Sequence, residues 1–541
     1  MANETDVLII GAGAAGLTAA ISAHEAGAKV TVIEKGECLG GSTAVSGGII
    51  WVPNNHYMKN AGIDDSKDEA RSYFQALNDA DIDEDVLNTF IEHSPETLEF
   101  LENAGALSLS IIPGYPDYYI SSPGAKPNGG RALDNDMYAF SELGDWADKI
   151  YPSLDTPRLM LRETPLGGAS GIIDPEELES RIRVDARGWG QALLGRLLKA
   201  CLDRGIEPQL NTGATKLLIE NDSVCGAEVI SGGEAMTIHA GRGVILASGG
   251  FEWNKELRQS FLRGPMDAPA SPPMNKGDGL KMAMAAGAAL GNMKNSWWMP
   301  TVSIPNDNWS DGNQRSLPVL IERTLPHTVM INGRGERFCN EANNYCSLAG
   351  SFHSFDPETY SYPNLPAYLI FDQNYRSQYP FASVMPNQET PEWIFQASTP
   401  EELGELIGTN GAKLRQTVET FNENAENGVD PEFNRGVSLY DRFYGDRSKD
   451  GAAATLGALT KAPFYAVEIR MGTLGTNGGP KTDAYARVVN HDGEVIRGLF
   501  AAGNVMSGPT GGVYAGAGGT LGPALTFGYV AGKEAAKHPV N

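Results

Sequence analysis

The segment Asp6-Val-Leu-Ile-Ile10 runs straight into Gly11-Ala-Gly-Ala-Ala-Gly16, and few folds accommodate what surrounds it. An apolar helical run, Leu17 to Ala26, follows, and Val30-Thr-Val-Ile33 ends in Glu34. Strand, glycine turn, helix, strand and acid in that order describe a parallel βαβ unit that binds a dinucleotide. Gly11 and Gly13 allow a tight turn beside a pyrophosphate, while Gly16 lets helix and strand pack closely. The helix N-terminus then offers its unpaired N–H groups and positive dipole end to the phosphates. Glu34, 23 residues beyond Gly11, is placed to accept both ribose hydroxyls. A bare GxGxxG carries little information, but the full sequence of elements carries much more.

Further glycine-rich segments enlarge the ligand. Gly40-Gly-Ser-Thr-Ala-Val-Ser-Gly-Gly48 reads as a second loop, which a nicotinamide cofactor does not require. Gly243-Val-Ile-Leu-Ala-Ser-Gly-Gly250 and Gly498-Leu-Phe-Ala-Ala-Gly-Asn504 read as strands running into turns. Four glycine-punctuated strands from both ends of the chain fit one long cofactor, FAD, across a doubly wound α/β sheet. The expected contacts are Gly11, Gly13, Ala14, Ala15, Gly16, Glu34 and Lys35 in the first unit. In the second loop they are Gly40, Gly41, Ser42, Thr43, Ser46, Gly47 and Gly48. Ala214, Ala247, Ser248, Gly249, Gly503, Asn504, and Leu521 and Gly522 at the start of a last helix complete the set.

At 541 residues the chain is longer than one hydrophobic core usually supports. We expect a Rossmann-like FAD-binding domain over 1–290 (with an insertion at 105–188) and 465–541, interrupted by an α+β catalytic domain at 291–464. Ser94-Pro-Glu reads as a helix start, Gly188 to Arg204 as an amphipathic helix, and Thr212 to Val229 as a strand pair turning at Asn221-Asp222. A net charge of −25 argues against nucleic acid and against purely electrostatic binding to an anionic membrane. No apolar run reaches the roughly 18 residues of a membrane helix. The N-terminus leads directly into the first strand, so no signal peptide is expected. Five cysteines without a CxxC pair suit the cytoplasm, or at most the periphery of a membrane. Cys38 reads as packing. No metal-ligand set or Ser/His/Asp grouping stands out, and neither His327 nor His353 is given a role.

Six of the twelve residues from Gly508 to Gly519 are glycine, yet Tyr514 stands among them. A phenol in a glycine cradle, ahead of a helix starting near Leu521, suits proton transfer or polarisation of a carbonyl beside a flat cofactor. The ordering of these segments, with GGSTAVSGG followed by Trp51-Val-Pro-Asn-Asn55, resembles the succinate dehydrogenase/fumarate reductase flavoprotein superfamily. Within it the chain resembles the 3-ketosteroid dehydrogenases most. The similarity covers most of the chain, and three pieces are specific: Pro113-Gly-Tyr-Pro-Asp-Tyr-Tyr119, His327 to Glu341 leading to Tyr345, and Tyr514-Ala-Gly-Ala-Gly518.

The resemblance implies that the Tyr514 hydroxyl and the Gly518 N–H polarise a ketone, and that Tyr345, assisted by Tyr119, accepts the α-proton. Adjacent Tyr118 is the alternative to Tyr119. Fumarate reductases carry His where Tyr514 stands and Arg near Gly518-Gly519-Thr520, so a dicarboxylate would lack its clamp here. Residues 36–50 hold no histidine, which implies FAD bound without a covalent link. Ala515 departs from the proline usual in steroid dehydrogenases, and 151–185 has no close counterpart. The implied activity is 3-ketosteroid 1-dehydrogenation, with electrons passed to an external acceptor such as a quinone. Alternatives are a 3-ketosteroid 4-(5α)-dehydrogenase and desaturation of cyclohexanone or 4-oxocyclohexanecarboxylate. The last would need a cation, and Arg158, Arg162, Arg181 and Arg183 are candidates. A flavoprotein that only carries electrons is a third reading.

Overall fold

Val7, Leu8 and Ile9 are wholly buried and Ile10 nearly so, which suits a strand inside a sheet covered on both faces. The computed structural model describes residues 3–77, 82–153, 158–386 and 388–538. Strand β1 (Asn3–Ile10) passes through the glycine turn into helix α1 (Ala14–Glu25) and returns as β2 (Val30–Ile33), parallel to β1. The second glycine segment is partly helical: Gly41–Val45 forms a short helix, α2. Its Thr43-Ala44-Val45 core buries Thr43 and Ala44, so only the flanking glycines behave as loop.

Helix α3 (Trp189–Asp203) buries Leu193, Leu194, Leu197, Leu198 and Cys201, the face its spacing predicts. Strands β3 (Thr212–Glu220) and β4 (Ser223–Ser231) form an antiparallel pair joined at Asn221 and Asp222, both at positive φ. The long β5 (Glu234–Leu246) pairs with β4 through its first half. Its second half pairs in parallel with β1 and with β7 (Val495–Ala501), whose neighbour is β6 (Arg487–Val489). The seven-stranded sheet thus runs β6-β7-β4-β5-β1-β2, with β3 on β4. Helix α4 (Leu521–Lys537) follows β7 and packs on α1.

Ser94-Pro95 does not start a helix. It lies within the helix Glu84–Asn103, whose cap is Asp83, accepting from the Asp85 and Val86 N–H groups. Val86, Leu87, Phe90 and Ile91 carry the buried stripe upstream of the proline and outweigh the hydrogen bond it forfeits.

The chain divides into two compact units. The first comprises 1–262, 271–297 and 475–541, and the second 263–270 and 298–474. Antiparallel strands dominate the second, where Ala367–Asp372 lies between Thr328–Asn332 and Phe464–Thr476. Its core holds Val329, Ile331, Ile370, Leu414, Val418 and Phe421. Among the described residues, no helix is long and apolar enough to cross a membrane.

Candidate active site

The start of α1 is built as a cradle. A Cβ on Gly16 would lie 1.9 Å from the Gly11 carbonyl oxygen, so only glycine permits the approach of helix and turn. Gly13 is different, since a Cβ there would meet only the Thr43 hydroxyl at 3.7 Å and the Gly40 carbonyl at 3.8 Å, without strain. Thr43 Oγ1 accepts the Ala14 N–H (3.2 Å), tying α2 to this turn. The N–H groups of Gly13, Ala15 and Gly16 have no acceptor among the described residues. Such donors at a helix N-terminus fit a pyrophosphate. The Glu34 carboxylate accepts from the Ala12 (3.1 Å) and Gly36 (3.0 Å) N–H groups. Burial pushes its carboxyl up, and those two N–H groups pull it back.

The remaining predicted contacts divide between the cradle and its supports. A Cβ on Gly503 would touch the Ala15 methyl at 3.0 Å, so β7 does deliver this turn to α1. The Gly11 turn packs on the Ala247 carbonyl, and Ser248 Oγ accepts the Gly279 N–H. Ser46 Oγ accepts from Gly48 N–H, and Asn135 Nδ2 donates to the Gly48 carbonyl. Lys35 pairs with Asp278 at 2.5 Å, and Ala214 sits in β3 opposite Val229. Gly522 packs on the Trp51 carbonyl. A narrow cleft is lined by Trp297, Gly503, Asn504, Thr520 and Pro523, at the start of α4. Trp297 Nε1 donates to Asn504 Oδ1 (3.2 Å) in that wall.

Tyr514 is buried beside this helix start. Its ring centroid lies 5.2 Å from that of Trp297 and 5.5 Å from that of Tyr118. It also lies over the turn that follows, since a Cβ on Gly519 would sit 3.5 Å from its Cδ2. Gly518 adopts φ +94°, and its buried N–H, like those of Thr520 and Leu521, has no acceptor among the described residues. A buried amide normally finds a partner. One left open in this turn is available to a ligand oxygen.

Of the neighbouring pair, Tyr118 is buried against the Tyr514 ring, whereas Tyr119 is half-buried and donates its N–H to the Tyr73 hydroxyl (3.1 Å). Tyr345 belongs to the second unit, where it is buried. There the wholly buried Arg323 donates to the carbonyls of Glu341 and Asn343, fixing the turn that carries it.

Several supporting residues escape a reading of the sequence. Trp51 Nε1 donates to Asp117 Oδ1 (2.8 Å), and the Trp51 N–H donates to the Gly518 carbonyl (3.2 Å). Arg131, fully buried, donates to Asp117 (2.8 Å) and in a fork to Asp65 (2.8 and 2.6 Å). Arg131 is therefore neutralised and offers no clamp for a substrate carboxylate. Glu252 is also fully buried, accepting from Ser271 Oγ and Asn275 Nδ2 at 2.6 Å each, and Asn275 donates onward to Ser42 (2.9 Å). Burial pushes the Glu252 carboxyl up. Trp51 and Asp117, inside the sequence motifs quoted above, and Glu252, just after Gly249-Gly250, carried a local signal.

Residues 6–521 match the family model described as FAD binding domain. The chain belongs to this family. Its open helix-start amides agree with the cofactor that the family binds, FAD. Over 98% of this chain and 92% of the other, it is 37% identical to the 4-oxocyclohexanecarboxylate 2-dehydrogenase of Sinomonas cyclohexanicum. It is 36% identical to the 3-oxosteroid 1-dehydrogenase of Mycolicibacterium smegmatis, over 99% and 97% of the two chains. Its fold superposes on the 3-ketosteroid delta1-dehydrogenase from Sterolibacterium denitrificans, solved in complex with 1,4-androstadiene-3,17-dione. That match has a TM-score of 0.91 and 34% identity, covering 99% and 100% of the chains. The superfamily and branch expected from the motifs are those in which these relatives stand.

Proposed function

We propose that the protein is an FAD-dependent dehydrogenase that places a double bond beside the carbonyl of a neutral cyclic ketone, desaturating 3-ketosteroids between C1 and C2. One observation carries the reading: the buried phenol of Tyr514 shares a turn with the open N–H of Gly518, at the start of α4. Two neutral donors on a ketone oxygen stabilise the negative charge that develops there as the α-proton leaves. Both are uncharged, so they suit a ketone rather than a dicarboxylate. On the family pattern Tyr345 takes the α-proton and Tyr119 supports it. FAD held in the α1 cradle supplies the hydride acceptor, and no histidine in 36–50 is available to link it covalently. The electrons would then go to an external acceptor, for which a quinone is the proposed class.

The relative acting on 4-oxocyclohexanecarboxylate makes a small acidic ketone the second reading. The arginines considered for its carboxylate argue for the first. Arg158 is paired with Asp185, Arg162 with Asp134 and Asp136, and Arg181 with Glu163 and Glu177. Arg183 lies exposed near the end of the helix Pro175–Arg183. The deciding experiment is anaerobic addition of a 3-ketosteroid, a 5α-steroid, cyclohexanone or 4-oxocyclohexanecarboxylate to the yellow holoenzyme, with product analysis. Bleaching with a C1–C2 product is the expected result for the steroid. Bleaching only by the acid would transfer the assignment to the second reading, and no bleaching by any ketone would leave an electron carrier.

A further inference from the structure

We infer that Tyr73 is a positioning residue, whose hydroxyl locks the segment bearing Tyr118 and Tyr119 to the segment bearing Tyr514. The helix Lys67–Leu77 brings this wholly buried side chain between them. Its hydroxyl donates to the Ala515 carbonyl (2.8 Å) and accepts the Tyr119 N–H (3.1 Å). The Ala515 carbonyl also accepts the Tyr118 N–H (3.0 Å). Three hydrogen bonds through two oxygens thus hold residues 118–119 in one register with residue 515, next to Tyr514. The Tyr73 ring is fixed in turn by Trp51 (centroids 6.4 Å apart) and by the Arg131 guanidinium 5.7 Å from its centre. Arg131 and Trp51 both bond Asp117, so one buried assembly orients the ring and the loop it serves. Burial, with Asp117 nearby, holds the Tyr73 phenol far above its ordinary range, so it stays a neutral donor at any working pH. Groups that polarise a carbonyl and move a proton tolerate little displacement, and an error near 1 Å lowers rates about 100-fold.

The inference rests on the roles proposed above for Tyr119 and Tyr514. Its test is Tyr73→Phe in the holoenzyme, with rates expressed per bound flavin. Flavin content and KM should stay within twofold of wild type, while kcat falls about 10- to 100-fold. The deuterium isotope effect on kcat, with substrate labelled at the α-carbon, should equal or exceed the wild-type value, because proton removal has become the slow step. Loss of folded enzyme alone would lower the rate without slowing that step. A kcat within twofold of wild type, a loss explained by KM or flavin content, or a reduced isotope effect would each overturn the inference. Should the variant fail to fold, hydrogen exchange on the wild-type holoenzyme decides. Peptides covering 115–121 and 513–520 should open at a common rate, and rates tenfold apart would overturn the bridge. A wild type inert towards every ketone would defeat the proposed function, whereas the exchange result would still decide whether Tyr73 couples the two segments.

Discussion

Tyr514 was legible as a residue because a bulky phenol among glycines has no packing explanation in the sequence. The structure supplies its surroundings: the rings of Trp297 and Tyr118, and the Gly518–Gly519 turn against its edge. Replacing it with phenylalanine removes one oxygen and leaves those contacts. Tyr514→Phe should therefore keep FAD content and lower kcat about 100- to 1,000-fold, as for loss of one oxyanion donor. Steady-state kinetics per bound flavin measure this, and undiminished turnover would remove Tyr514 from the mechanism. Glu34 is singled out by its spacing as a ribose partner, and in the structure its carboxylate holds the Ala12 and Gly36 N–H groups. Glu34→Ala should weaken FAD at least tenfold in equilibrium titration of the apoprotein, and undiminished affinity would contradict the ribose assignment. Tyr73 and Arg131 were not legible. Their meaning lies in bonds to partners far along the chain, as with Tyr73 and Ala515, and spacing alone does not reveal such bonds.

Among the elements, the βαβ start, α3 and the β3–β4 turn followed their sequence patterns, because each rests on local periodicity and turn chemistry. The helix Glu84–Asn103 did not, since Ser94-Pro95 imitates a start inside a helix whose true cap is Asp83. The contact between α1 and α4 lay beyond local reading altogether. Both helices are rich in small residues, and a Cβ on Gly532 would lie 2.4 Å from the Ala19 carbonyl oxygen and 2.8 Å from the Ser22 side chain. The backbones meet there, and Ser22 Oγ donates to the Tyr529 carbonyl (2.7 Å). Because α1 carries the cradle at its N-terminus and α4 the Gly518 turn at its own, their contact sets two parts of the site together. Gly532→Val should force the helices apart, destabilising the fold by about 1–3 kcal/mol as overpacking does. Thermal unfolding should show a lowered midpoint with FAD affinity reduced as well. An unchanged midpoint would mean that the helices yield without strain.

Over the whole molecule, acidic residues outnumber basic ones by 67 to 42, yet several buried acids that hold structure together, Asp117, Glu341 and Asp430 among them, are met by arginine. In the second unit the specific motif from His327 to Glu341 owes its form to this. Arg337 forks onto Glu341 (2.9 and 2.8 Å) and onto Asp430 (2.9 Å twice), and Arg435 adds a bond to Glu341 (3.2 Å). The motif pointed to the family, but its purpose required partners some 90 residues away. Burial alone would push both carboxyls up. The Arg337 guanidinium, with Arg435 beside it, more than offsets it, and both are held below the ordinary range. A depressed carboxyl contributes stability that is present above its unfolded pKa, about 4, and lost as pH falls through the folded value. Arg337→Met leaves Asp430 only the Arg435 N–H and charge against burial, so its carboxyl should rise and its stabilising contribution should fall away as pH climbs. The gap between wild type and variant should therefore widen with pH, reaching about 3–5 kcal/mol near pH 7 and shrinking towards pH 4.5. Urea unfolding across that range measures it. Arg337 also lies 5.0 Å from the ring centres of Phe421 and Phe433. A gap that does not change with pH would assign its contribution to that packing and not to charge.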